Sequence, residues 1–176
     1  MALERATAFD RWEHQWVRAL RWYERTLAAT GRETGRGSLD AADFSEALVQ
    51  AVWHLRDWLV NDPRIELPPE ELKAFTTSDP ALQLVADVAN GTKHAWLNAR
   101  RANGVVVGHT AWFGSGDVDD PESIERVRVT ATIEADGGES EHRELVDIAW
   151  DGLVAWRRWL EVMGLDIPEI PELPSP

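Results

Sequence analysis

Asn98–Gly114 reads NARRANGVVVGHTAWFG, and its two halves follow different rules. Up to Gly104 it closes a segment whose apolar residues recur every three or four positions. Beyond Gly104, β-branched and aromatic residues crowd together and begin to alternate. A change from period 3.6 to period 2 marks the point where a helical chain turns into strands.

Working upstream, Leu84, Val85, Val88, Thr92, Ala95 and Trp96 give a helix its buried side. Ser78 or Asp79 serves as its cap, and Pro80 falls in the first turn, where a missing N–H costs nothing. An earlier helix starts near Asp40, uses Phe44, Leu48, Val52, Leu55 and Leu59 as its stripe, and stops at NDP, Asn61–Pro63. Between the two, PEELKAF, Pro69–Phe75, fits a short helical turn. The first helix runs from Leu3 to about Ala29 on Phe9, Trp12, Trp16, Leu20, Tyr23 and Leu27, and is broken by the glycines of TGRETGRGS, Thr30–Ser38.

Downstream, IERVRVTATIEA (Ile124–Ala135) forms a second strand after the acidic loop GSGDVDDPES (Gly114–Ser123). DGG at Asp136–Gly138 then makes a tight turn into a short third strand, Glu139–Leu145. A last helix, Val146–Met163, presents Ala149, Trp150, Leu153, Trp156 and Leu160. The expected fold is mainly α: a four-helix bundle with a small three-stranded antiparallel β-meander inserted before its last helix. One domain covers 1–165 with the insertion at about 104–145, and a proline-rich tail covers 166–176. In the tail, Pro168, Pro171 and Pro174 recur every three residues, as do Ile167, Ile170 and Leu173, the period of polyproline II. Such an apolar edge suits either this protein's own body or a protein partner.

The 176 residues are 44% hydrophobic and 28% charged, with no apolar run long enough to span a bilayer and no signal-peptide block in MALERATAFDRWEHQW. A cytoplasmic location, with no membrane partner, is the expectation. The absence of cysteine removes disulfides, thiolate metal sites and cysteine nucleophiles. A net charge of −13 opposes non-specific duplex binding, which depends on Lys and Arg, but leaves room for a local basic site. Arg11, His14, Arg18, Arg21 and Arg25 recur at three and four along the first helix and mark either an anion-binding surface or a solvated face balanced by Glu4, Glu13 and Glu24. Ten tryptophans serve core packing, interfaces and base stacking equally well.

Candidate chemistry centres on DVANGTKHAWL, Asp87–Leu97. On a helix Asp87, Asn90 and His94 share a face, with Gly91 beside them. In HLRDW, His54 and Asp57 stand three apart, extended by Gln50 and Asn61 and flanked by Trp53 and Trp58. If the two helices are neighbours, His54, Asp57, Asp87, Asn90 and His94 converge, as a shared polar site or as ties between helices. The expected helices carry no Glu-x-x-His and the chain no H-E-x-x-H, so no metal and no cofactor is expected. Ser115 lacks the G-x-S-x-G elbow, and the glycines at 31–37 match no phosphate-binding loop. His109 and His142 read as ordinary strand residues.

DVANGTKH resembles the D-x-R-N-x-x-K-H variant of the R-x4-6-H motif of HEPN domains, helical bundles that often act as metal-independent ribonucleases, commonly with the motif at a dimer interface. Position by position, His94 matches the family histidine and Asn90 the polar residue after its arginine. The arginine position is Ala89, which can neither orient a phosphate nor stabilise developing charge. The resemblance implies a homodimeric accessory or binding protein for RNA or a nucleotide; HLRDW is not part of the HEPN motif, so placing His54, Asp57 and Trp58 around the ligand with Asn90 and Trp96 rests on the two helices being neighbours. A catalytic version would use His94 as general acid/base, Lys93 as phosphate partner and Asp87 or Asp57 to orient the imidazole, with an arginine supplied from elsewhere, Arg100 and Arg101 among the cations that follow. A third reading makes the protein an interaction module that works through its acidic surface and tail.

Overall fold

The structure, a computed structural model, describes residues 11–30, 37–93, 108–113, 127–134 and 140–168. Within them the chain is mainly helical with a small antiparallel sheet before the last helix. The order is α1 (Trp12–Thr30), α2 (Gly37–Asn61), α3 (Pro69–Ser78), α4 (Pro80–Lys93), β1 (Gly108–Phe113), β2 (Val127–Glu134), β3 (Ser140–Glu144) and α5 (Leu145–Val162).

The described residues thus hold five helices where the periodicity counted four. The addition is α3, expected only as a short turn. Pro68 caps it with extended backbone, Pro69 pre-sets its first turn, and Glu70 and Glu71 complement its N-terminal dipole. Tertiary contact then holds it: Leu72 and Thr76 are buried, and Phe75 stacks on Trp159 at 5.3 Å with the edge of Trp156 at 5.5 Å. α2 begins at Gly37, one turn before the expected start, leaving Asp40 in the first turn, where its charge favours the helix. α4 begins as its sequence dictates. Asp79 Oδ1 accepts from the N–H groups of Ala81 and Leu82, and Pro80 follows the cap. The expected start of the first helix at Leu3 and the end of the third beyond Lys93 lie outside the described residues, as does most of the proline-rich tail.

The helical stripes meet in one core. Trp16, Leu20 and Tyr23 from α1, Leu48, Val52, Leu55 and Leu59 from α2, Leu82, Val85 and Val88 from α4, and Ile148, Leu153, Trp156 and Leu160 from α5 are all nearly or fully buried. α2 lies against α1, α4 and α5. Its contact with α5 is unusually close. A Cβ added at Gly152 would stand 2.7 Å from Val85 Cγ2 and 3.0 Å from Val52 Cγ1, so the missing side chain is what lets α5 descend onto α2 and α4. One turn later the Trp156 indole N–H donates to the Val52 carbonyl at 3.0 Å.

β2 is the middle strand, antiparallel to β1 and to β3. Val129 and Ala131 are buried where β2 packs on α2 and α5. Across the β2–β3 register, His142 Nδ1 lies 3.1 Å from the Thr132 hydroxyl. Arg143 pairs with Asp151 at 2.7 Å and ties β3 to the helix that follows it.

Two measurements test this packing. Gly152→Ala gains up to about 1 kcal/mol of helix propensity, but overpacking of this kind costs about 1–3 kcal/mol. Because β-branched Val52 and Val85 cannot swing aside, the expected outcome is a lower melting temperature, with Gly152→Val lower still. Tyr23 is the only tyrosine of the chain. It is fully buried and stacked on Trp150 at 5.0 Å. Burial, helped by the Asp147 carboxylate, pushes its phenol from 10.0 up to about 12. Phenolate absorbance should therefore rise near pH 12 while the chain is folded. The unfolded chain releases that proton earlier, so stability should fall as pH climbs from about 10 to 12.

Candidate functional site

Two halves of the polar constellation sit on helices that do touch, since α2 packs on α4. On α4, Ala89 is fully buried, whereas Asp87, Asn90 and Gly91 are half-buried. The Asn90 amide donates to the Ala86 carbonyl of its own helix at 2.6 Å. Asp87 stands about 200° round the helix from the core residue Val85, and is engaged by a neighbour. Lys93 closes the described part of α4. His94 and Trp96 lie outside the described residues.

On α2 the geometry points elsewhere. Val52 is the residue facing α4 and α5, next to Val85 and Gly152. His54 is two positions on, about 200° round, and shares a face with Trp58, its i+4 neighbour. That face borders α1: the Arg18 guanidinium lies over the Trp58 ring, 5.6 Å from its centroid. The structure therefore brings His54 and Trp58 to the seam between α1 and α2. Asp57 is turned outward, with half its side chain exposed and Arg56 at 3.1 Å. Arg56 in turn lies over Trp53 at 4.5 Å.

Along that seam α1 presents His14, Arg18, Arg21 and Arg25, which occupy an arc of about 60°. The three arginines are exposed. Among the described residues none of them forms a salt bridge, although Arg56, Arg64, Arg128, Arg143 and Arg157 all do. Arg18 donates to Gln15 Oε1 at 3.3 Å, and Gln15 Nε2 donates to the Ala51 carbonyl of α2 at 2.7 Å. Arg25 lies over Trp22 at 4.8 Å, and Trp22 meets Phe44 of α2 at 5.6 Å. His14 and His54 are half-buried and each is engaged by a neighbour. The periodicity of the arginines was visible in the sequence. Their pairing with tryptophans was not, because Trp58 reaches Arg18 only once α1 and α2 have packed.

Sequence reasoning missed one polar node altogether. Asp62, read as part of a helix stop, has a side chain with no exposure. Its Oδ2 accepts from the Trp12 N–H at 3.2 Å and from Arg64 Nη2 at 2.6 Å, and its Oδ1 accepts from the Arg64 N–H and Nε, both at 3.0 Å. Arg64 Nη2 also reaches Glu13 Oε2 at 2.6 Å. Burial alone would raise the Asp62 carboxyl, but hydrogen bonds from Arg64 and Trp12 and the guanidinium charge outweigh it and hold the group below its usual range. The same bonds raise Arg64. This node joins the start of α1 to the end of α2 and is a structural clamp.

Among the described residues no three His, Asp or Glu side chains cluster as metal ligands, and no helix is long and apolar enough to cross a membrane. Comparison with protein-family models, curated proteins and solved structures found no match to this chain.

The clamp has a testable pH signature. Its contribution is complete above the ordinary carboxylate value of 3.8 and is lost as pH falls through the lower folded value. Asp62→Ala should cost about 1–3 kcal/mol at neutral pH, chiefly by leaving the buried Trp12 N–H without its acceptor. Asp62→Asn should flatten the acid limb of a melting-temperature profile below about pH 4, where the native carboxylate loses its contribution.

Proposed function

We propose that this chain is a HEPN-like accessory protein that binds RNA or a nucleotide without cutting it. The observation that supports this reading is Ala89. It occupies the position of the family's arginine, and it is fully buried in the core. An arginine there would carry its charge out of water without a partner, which is prohibitive. The backbone at this position therefore serves packing, and the cation that would hold a phosphate during cleavage is missing from its place.

In this reading the ligand contacts come from α4 and the residues after it, Asp87, Asn90, Lys93, His94 and Trp96, while His54 and Trp58 face α1 and Asp57 is turned outward. The protein works as a homodimer, as the motif's usual place at a dimer interface implies. The absence of cysteine suits a reducing, cytoplasmic setting.

The test is a fluorescein-labelled single-stranded RNA of ten nucleotides followed by anisotropy and on a denaturing gel. Binding with the RNA left intact is expected, and His94→Ala should weaken it about fivefold or more, the loss of one good hydrogen bond. Cleavage abolished by His94→Ala would replace this reading with a metal-independent ribonuclease using His94, Lys93 and Asp87. Failure to bind RNA or mononucleotides at all would leave the interaction-module reading in its place.

A further inference from the structure

Among the described residues Arg18, Arg21 and Arg25 form no salt bridge, and they stand on one helix of a chain that carries 31 acidic residues against 18 basic ones. Ion pairs elsewhere on the molecule form readily, yet Arg18, Arg21 and Arg25 stand exposed on one arc of α1. Two of them lie over indole rings, Arg18 over Trp58 and Arg25 over Trp22. Stacking holds a guanidinium at a fixed place on the surface while leaving its N–H groups free to donate, which is how arginine presents itself to phosphate. Arg18 and Arg25 are seven residues apart along the axis, about 10 Å at 1.5 Å per residue, with Arg21 between them.

We propose that the seam between α1 and α2 is a binding track for single-stranded nucleic acid. Phosphates lie on Arg18, Arg21 and Arg25, and unpaired bases lie against the stacked guanidinium planes and the exposed parts of Trp22 and Trp58. His14 and His54 flank the track, one turn from Arg18 and Trp58 on their respective helices. A track of spaced cations interleaved with aromatic rings is the usual means of holding single strands without reading their sequence. The net charge of −13 disfavours phosphate binding over the rest of the protein as a whole. The inference shares with the proposed function only the class of ligand, and places that ligand on a face that the α4 motif does not include.

The experiment uses the same labelled ten-nucleotide RNA and the full chain, titrated at several salt concentrations. The variant Arg18→Gln/Arg21→Gln/Arg25→Gln changes only exposed side chains, so its circular dichroism and melting temperature serve as the folding control. Trp58→Phe, which keeps a ring under Arg18, is the conservative companion. The triple variant is expected to bind at least tenfold more weakly and to lose about 2 from the slope of log K against log salt, at about 0.7 per phosphate contact for single strands. Trp58→Phe should retain most of the affinity. A triple variant that binds RNA as well as the wild type overturns the track while leaving the RNA-binding reading intact. Wild-type protein that binds no RNA overturns both. Polyglutamate of matched charge displacing the RNA at equal concentration would overturn the nucleic-acid assignment in favour of an acidic protein partner. Cleavage of the RNA, should it occur, removes the accessory reading and still lets the track be scored on binding.

Discussion

The absence of one side chain, at Gly152, sets how closely α5 approaches α2 and α4. α5 meets both Val52 of α2 and Val85 of α4 there, at distances that a Cβ could not occupy. Close approach at that point brings Trp156 down to the Val52 carbonyl across 104 residues of sequence. Trp156 and Trp159 then supply the aromatic surface on which Phe75 seats α3. A glycine within a helix is intrinsically unfavourable, so what offsets it is the dispersion and burial gained by every side chain around the contact. The conformation of α3, which has weak apolar periodicity of its own, follows from that gain.

Polar groups are arranged by the same economy of partners. Asp62 is buried, and it is acceptable there because the Trp12 N–H and Arg64 satisfy both of its oxygens. Tryptophan divides between two tasks. Trp12, Trp16 and Trp156 lie in the core, while Trp22, Trp53 and Trp58 are half-buried, each beneath an arginine. Trp16 is the exception to full satisfaction, since its buried indole N–H meets no acceptor among the described residues. Two of the arginine–tryptophan pairs place cations of α1 over rings at the α1–α2 seam, in a protein whose net charge is −13.

Legibility differed between the fold and the site for a definite reason. Residues such as Leu48, Val52, Leu55 and Leu59 announce burial by spacing, because a helix returns to the same face every three to four residues and the core accepts only apolar side chains there. The Asp79 cap was legible for a similar reason, since its hydrogen bonds reach only two and three residues along the chain. The polar constellation was harder. His54 and Asp57 share a sector of α2 by spacing, but which neighbour that sector faces depends on how three helices surround α2. The sequence suggested α4. Packing turned Val52 toward α4 and α5, and His54 and Trp58 toward α1.

What the sequence alone determined, then, were features carried by short-range geometry: helical stripes, a change to strand periodicity after Gly104, the capped start of α4, and a file of arginines on one helix face. Tertiary structure decided the rest. It made a helix of Pro69–Ser78 by offering Phe75 an aromatic seat, gave Gly152 its purpose, converted a helix stop at Asp62 into a clamp on α1, and set Trp58 under Arg18. Each of these rests on atoms that are distant in the chain and adjacent in space. No local pattern encodes such a meeting, because its energy exists only when the partners have arrived.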